Sequence, residues 1–483
     1  MRFGLDFWSV FSLIFLVTAI PVAIMIILEK RSPFKTAAWV LALILLPVFG
    51  VVFYLFFGQE FRKKKLFSRK GLKSLNRYRQ LSFRQLRQFE GSFQKLPPKM
   101  RDKENIVRLL LKNSSALLTT GNKLKILNNA AETFEAIFSA IERAEHHIHL
   151  EYYIIENDKI GNRLKELLIR KSNEGIEIRI IIDDVGSWSL GKKFQNDLRQ
   201  NGIEIYSFME VRFPRLTSRV NYRNHRKIVV VDGKIGFTGG INFADRYLKG
   251  VQDIGPWRDT HLQIEGDAVN CLQVVFAADW FFVVHENLTG RKYFPQLSES
   301  PGTPVQISAS GPDSDWDSIS QAFFAALSSS KSKIYITTPY LMPPLEIIYA
   351  LKTAALSNVD VRILMPEKSD SVIPHWSSFS YIEELLESGV RVFFYQTGFI
   401  HSKYIIVDKI FSTVGTTNLD FRSLETNFEV NAFIYDEGFT SELERQFKTD
   451  LKNSREIKLE EWLQRKWHFK LRESLAHLVS PLF

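Results

Sequence analysis

A histidine and a lysine two residues apart head an apolar run twice in this chain. They are His225 and Lys227 in "NHRKIVVVD", and His401 and Lys403 in "HSKYIIVD". Residues two apart on a strand face the same way, so each stretch presents an imidazole beside an ammonium. Each run ends in an aspartate, Asp232 or Asp408. After six further residues comes a glycine, Gly239 or Gly415, with an asparagine, Asn242 or Asn418, three positions beyond it. One such pattern would carry little weight, but two at matching places in a repeated sequence carry much more.

These residue types suit a phosphodiester. That bond needs a nucleophile, a proton donor for the leaving alkoxide, and cations on its non-bridging oxygens. One imidazole can attack phosphorus and form a phosphohistidine, while the other protonates the departing alcohol and then deprotonates the acceptor. Lys227 and Lys403 would supply charge, and Asn242 and Asn418 hydrogen bonds as charge builds on the oxygens. The scheme calls for no metal and no cofactor. A single cysteine, Cys271, excludes an internal disulfide and a cysteine-based zinc site. Asp232 and Asp408 stand seven positions along the strand from their histidines and read as structural groups fixing its end. A carboxylate that orients an imidazole must then come from elsewhere. Aligning "DTHLQIEG" with "EVNAFIYD" offers Asp259 and Glu429.

The elements that position these groups are also written twice. "FEAIFSAIERAEHHIHLEYYI" is answered by "ISQAFFAALSSSKSKIYITTPYL", "GIEIRIIIDD" by "NVDVRILMPE", and "NGIEIYSF" by "SGVRVFFY". Helical patterns alternating with strands argue an α/β fold with a largely parallel sheet. Two copies predict two α/β/α domains, 113–295 and 296–483, in a pseudo-twofold arrangement.

The start of the chain differs in kind. Residues 1–60 hold two uncharged apolar runs, 7–28 and 36–57, each long enough to cross a bilayer, which predicts a transmembrane helical hairpin. Residues 61–112 carry 17 Lys and Arg against 3 Asp and Glu, while the whole chain is only +10, so the remainder is slightly acidic. That basic, amphipathic juxtamembrane segment suits an anionic membrane surface. An acidic remainder argues against nucleic acid as a partner. The basic excess after the second run places the catalytic body on the cytoplasmic side of the cell membrane. Trp462, Trp467, Leu471, Leu475 and Leu478 form an amphipathic tail that either packs on the body or meets the membrane.

The doubled His-x-Lys-x4-Asp-x6-Gly-x-x-Asn pattern resembles the phospholipase D superfamily, and within it the chain closely resembles the bacterial cardiolipin synthases. The likeness extends to "RSPFKTAAWVLALILLPVFGVVFYLFFG", "GPWRDTHLQIEGDAV", "YQTGFIHSK", "VGTTNLDFRSLETNFEVN" and "SLAHLVSPLF". It implies two phospholipase D-like domains and transfer between two phosphatidylglycerol molecules, yielding cardiolipin and glycerol. It also implies that His225, Lys227, Asn242, His401, Lys403 and Asn418 line the site, with Asp232 and Asp408 completing the catalytic signature. Glu429 matches the family's imidazole-orienting acid, and Asp259 is its looser counterpart. By the same analogy His225 is the nucleophile and His401 the acid/base, although the symmetry of the motifs allows the reverse. Gly240 and Thr416 stand where many superfamily members carry serine, and "PHWSSFS" departs from the basic pattern expected before the last helix of the second copy. Three other readings share the constellation: a phospholipase D hydrolase, a transferase to another alcohol, and a membrane-tethered nuclease. A non-catalytic membrane scaffold is disfavoured by intact His and Lys in both copies.

Overall fold

The computed structural model describes residues 20–28, 33–45, 50–51, 54, 80, 84–85, 98–211, 222–295 and 302–480. The chain forms two compact units, one of residues 1–69 with 211–222 and one of 70–210 with 223–483. In the smaller unit residues 20–28 are helical, as is α1 (Pro33–Leu45). Ile26, Leu43 and Tyr54 are buried together there, with Trp39 edge-on to Tyr54 at 5.5 Å. Much of the expected spans 7–28 and 36–57, and nearly all of 61–97, lies outside the described residues.

In the larger unit the first repeat supplies β1 (Leu118–Leu127), β2 (His147–Tyr152), β3 (Glu177–Ile182), β4 (Glu204–Ser207), β5 (Lys227–Val231), β6 (Ile235–Gly239) and β7 (His261–Glu265). The second supplies β8 (Thr303–Ser310), β9 (Lys333–Thr337), β10 (Asp360–Pro366), β11 (Arg391–Tyr395), β12 (Tyr404–Val407), β13 (Phe411–Gly415), β14 (Glu429–Tyr435) and a closing edge strand, β15 (Ser454–Ile457). All of them join one 15-stranded sheet in the order β15-β11-β10-β9-β12-β13-β14-β8-β1-β7-β6-β5-β2-β3-β4. The halves meet where β1 pairs antiparallel with β8.

The sheet is not largely parallel. Parallel pairing is confined to β2–β3–β4 and β9–β10–β11, and every other neighbouring pair in it is antiparallel. The reason lies in the motifs, because β5–β6 and β12–β13 are hairpins whose turns begin at Asp232 and Asp408. Both aspartates adopt positive φ, 56° and 58°. This left-handed conformation is one that aspartate tolerates better than most residues.

Helices cover both faces, so the strands are apolar on both sides. In β5, Ile228 and Val230 face one core while Val229 and Val231 face another. The Ile228 side packs on α3 (Asp267–Val284) and on α5 (Glu437–Lys452). Among the described residues α3 is the one helix long and apolar enough to cross a membrane. Here it is a core helix, and its buried Asp279 pairs with Arg226.

Two tail-end expectations resolve differently from their sequence appearance. α2 (Glu104–Asn113), the end of the basic segment, buries Ile106, Val107, Leu110 and Leu111 in the second half's core beside Ile319 and Phe323. α6 (Trp467–Val479) packs along α4 (Val372–Ser380), with Phe469 against Trp376 at 5.9 Å and His477 Nδ1 2.9 Å from the Ser380 hydroxyl. Its other side leaves Trp467, Leu471, Leu475 and Leu478 exposed. Trp462 does not share that stripe, being buried with the Arg465 guanidinium 3.2 Å over its ring.

Candidate active site

Both histidines sit where the parallel strands β2, β3, β9 and β10 end, the edge at which open α/β sheets gather their ligand-binding loops. Neither is held by its own half alone. The His225 N–H donates to the Phe428 carbonyl at 2.9 Å, and the Phe428 N–H donates to the Arg223 carbonyl at 2.9 Å. In the mirrored arrangement Phe399 and Ile400 pair in parallel with Trp257 and Arg258, and the His401 N–H donates to the Arg258 carbonyl at 2.7 Å. Each histidine segment is therefore stitched to the segment that leads into the other half's acid.

The acids consequently cross over. His225 Nδ1 lies 2.9 Å from Glu429 Oε1, and His401 Nδ1 lies 2.7 Å from Asp259 Oδ2. Nδ1–H donates to the carboxylate in each case, which leaves Nε2 as the basic nitrogen. Glu429 also accepts from the Thr416 hydroxyl at 2.5 Å. In the first half the shorter Asp259 fills the corresponding space, and a Cβ on Gly240 would lie 2.0 Å from its Oδ1. Glycine at 240 and threonine at 416 are thus matched to the different lengths of their acids.

Burial dominates the electrostatics. It lowers the pKa of His225, opposed by Glu429, and lowers that of His401 well below the usual range with Lys403 adding to the effect. Neutral imidazoles result, as a nucleophile or a base requires. Burial also brings Lys227 down to about 7 and Lys403 down to about 8. The Lys227 ammonium donates to the His225 carbonyl at 2.8 Å, and Lys403 donates likewise to that of His401.

His225 and His401 open into one cleft of about 410 Å³, which Asn242 and Asn418 also line. The Asn242 carbonyl accepts from the Ile154 N–H at 3.2 Å, and its amide donates to the Tyr247 hydroxyl. Among the described residues Asn418 Oδ1 is buried without a hydrogen-bond partner, so one site amide is left to meet a ligand. Aromatic rings fix the imidazoles: Tyr153 lies edge-on to His225 at 4.9 Å, and Trp257 edge-on to His401 at 5.2 Å. Among the described residues no three His, Cys, Asp or Glu side chains converge as a metal site.

Asp232 and Asp408 are not in the cleft, so their place in the catalytic signature is corrected to a structural one. Asp232 accepts from the backbone N–H groups of Glu145, His146 and His147 at the entry to β2. Asp408 does the same for Lys331, Ser332 and Lys333 before β9, and pairs with buried Lys103 at 2.9 Å. Seven positions along the strand carries each carboxylate to the far end of the sheet, where it ties the hairpin turn to the neighbouring parallel strand.

Several site residues were not singled out from the sequence. Arg223, Arg246 and Arg422 line the cleft, as does Asp370. Behind His225, Arg226 pairs with Asp279 and donates to the Glu429 backbone carbonyl at 3.1 Å, while Asn224 donates to Glu151 at 2.6 Å. Burial and the neighbouring Asp279 raise the Glu151 pKa well above the carboxylate range. Charged residues directly flanking the motifs, such as Arg223 and Arg226 around His225, were the available signal.

Comparison with known proteins shows the family. The profile described as "Cardiolipin synthase, PLD-like domain" matches residues 137–280 and 323–451, and that described as "Phospholipase_D-nuclease N-terminal" matches residues 4–59. The chain belongs to the cardiolipin synthase family of phospholipase D-like proteins. Relatives in the family include cardiolipin synthase 2 of Bacillus anthracis, 41% identical over 97% of this chain and 90% of that one. The major cardiolipin synthase ClsA of Bacillus subtilis (strain 168) is 38% identical over 98% of both chains. Among solved structures, a phosphatidylserine synthase of Haemophilus influenzae Rd KW20 shares the fold with a TM-score of 0.60. That likeness covers 80% of this chain and 100% of the other at 14% identity.

Proposed function

We propose that the chain is a cardiolipin synthase that moves a phosphatidyl group between two phosphatidylglycerol molecules. The observation that carries the mechanism is the crossed pairing: two imidazoles share one cleft, each with Nδ1 held by a carboxylate of the other half. His225 Nε2 attacks phosphorus, an N–P bond forms, the P–O bond to the head-group glycerol breaks, and His401 gives that oxygen a proton. The anionic phosphate between them favours the charged form of His401 and of both lysines. A glycerol hydroxyl of the second phosphatidylglycerol then attacks. Its proton passes to His401, the new O–P bond forms as N–P breaks, and cardiolipin leaves. Lys227, Lys403, Asn242 and Asn418 stabilise charge on the phosphoryl oxygens, while Asp232 and Asp408 hold the strands that carry the histidines.

The same reading assigns 7–28 and 36–57 as a hairpin in the cell membrane, with domains near 113–295 and 296–483 on its cytoplasmic side. The exposed stripe of α6, with Lys466, Lys470 and Arg472 around it, suits contact with an anionic bilayer. The test is the purified full-length protein in phosphatidylglycerol micelles containing EDTA, with lipid products resolved by mass. Cardiolipin and free glycerol are expected. Phosphatidic acid in place of cardiolipin would make the enzyme a hydrolase, and loss of activity in EDTA would overturn the metal-free scheme.

A further inference from the structure

The cleft is not electrically uniform. Around His225 it is cationic: Arg223, Arg246 and Arg422 line it together with Tyr153, and all three act electrostatically on that phenol. On the His401 side it presents Asp370, whose Oδ1 accepts from the Tyr340 hydroxyl at 2.7 Å, with Tyr247 and Trp257 packed against the imidazole at 6.2 and 5.2 Å. Phosphate oxygens only accept hydrogen bonds, so a carboxylate in a phosphate-binding cleft repels the very group the site is built to hold. Asp370 needs a different ligand.

Hydroxyl groups, which both donate and accept, meet that need. Tyr247 accepts from the Asn242 amide and so keeps its own O–H free to donate, while Asp370 Oδ2 has no partner among the described residues. Donor and acceptor line the same cleft. An ammonium group would also suit Asp370, since Arg223 and Arg246 are themselves paired with Asp183 and Glu156, so the test below sets an amino alcohol against glycerol.

We propose that Asp370 and Tyr247 form a polyol subsite beside His401, which binds the hydroxyls of a glyceryl group. The proposal rests on the phosphatidyl-transfer reading and names where its alcohol sits. One subsite serves both half-reactions, because a glyceryl unit leaves in the first and a glyceryl unit attacks in the second. It also accounts for the absence of a basic pattern in "SDSVIPHWSSFS", which begins at Ser369 and runs into α4: this segment brings Asp370 and no Lys or Arg to the cleft.

The test runs the chemistry toward free alcohols. Full-length enzyme in micelles with cardiolipin as donor is given equimolar glycerol, 1-propanol and ethanolamine, and the phosphatidyl alcohols are resolved by mass. The wild type should favour glycerol over 1-propanol. Asp370→Ala should collapse that ratio by about tenfold or more, as expected for hydrogen bonds to a charged group, with Asp370→Asn falling between. A ratio internal to one reaction does not depend on how much of the variant folds. An unchanged ratio overturns the subsite, and so does a drop in ethanolamine use larger than that in glycerol use. Wild-type enzyme that transfers to no alcohol would instead remove the functional reading, and the subsite with it.

Discussion

Glu429 and Asp259 hold the ring nitrogens that face away from the cleft, so replacing either should be felt at the histidine of the opposite half. Glu429→Gln and Asp259→Asn are each expected to cost roughly 10²- to 10⁴-fold in kcat. Their signatures should differ. With His225 as nucleophile, Glu429→Gln slows formation of the phosphohistidine, whereas Asp259→Asn slows its transfer to the acceptor and lets it accumulate. Trapping the phosphorylated enzyme after acid-free quenching distinguishes them, and accumulation in the Glu429 variant would exchange the two roles. The lysines predict a pH effect. Lys227 near 7 and Lys403 near 8, buried behind their histidines, lose charge in the free enzyme as pH rises through those values. An anionic substrate raises both, so kcat/KM should fall above about pH 7–8 while the alkaline limb of kcat lies at higher pH. Coincident limbs would mean that the lysines do not meet the phosphate. Residue types and spacings around His225 and His401 were readable from the sequence. The crossing of the acids was not, because it arises where backbone near Phe428 and Arg258 joins the opposite repeat, a tertiary event without a local signature.

At the level of elements, the hairpins β5–β6 and β12–β13 each have one point of sensitivity just past the second strand, against a site acid, and one at the turn. Against the acid, Gly240→Ser would drive a side chain into Asp259 and should reduce activity by about 10²-fold or more through loss of the His401 partner. Thr416→Ser, which keeps the hydroxyl on Glu429, should retain most of it; equal losses in the two variants would refute the idea that each position is matched to its acid. At the turn, Asp232→Asn keeps a residue type that tolerates positive φ but weakens its hold on three backbone N–H groups. It should lower Tm by a few degrees and leave kcat/KM of the folded enzyme nearly intact, which thermal melts and active-site titration would check. Alternation of helix and strand gave the repeat correctly, since periodicity is local. The parallel share was overstated because the short turns after Val231 and Val407 were not weighed as hairpins. α2 looked like part of a basic linker because its lysines and arginines outnumber its acids, yet four of its five apolar residues fall on one face and bury it.

For the whole molecule, the exposed stripe on α6 predicts a membrane-facing side of the body. Cys271 is buried, and burial pushes its thiol up to about 12, so a cysteine added elsewhere can be labelled alone. In full-length protein reconstituted into phosphatidylglycerol vesicles, an environment-sensitive dye at Leu475→Cys should shift blue and be quenched by spin-labelled lipid. The same dye at Lys192→Cys, on an exposed helical position of the first half, should not. Equal responses at both positions would argue against a docked face. The expectation of two spans rests on uncharged length alone, a signal independent of any packing partner.

The crossed acids also bear on descent. Two identical chains meeting about such an axis would bring two identical histidines to it, each tuned by the same acid from its neighbour, and neither copy could change without the other changing too. With both copies in one chain, as here, that tie is absent. The pairs Gly240 with Asp259 and Thr416 with Glu429 differ between the two copies, so each histidine can be tuned without altering the other.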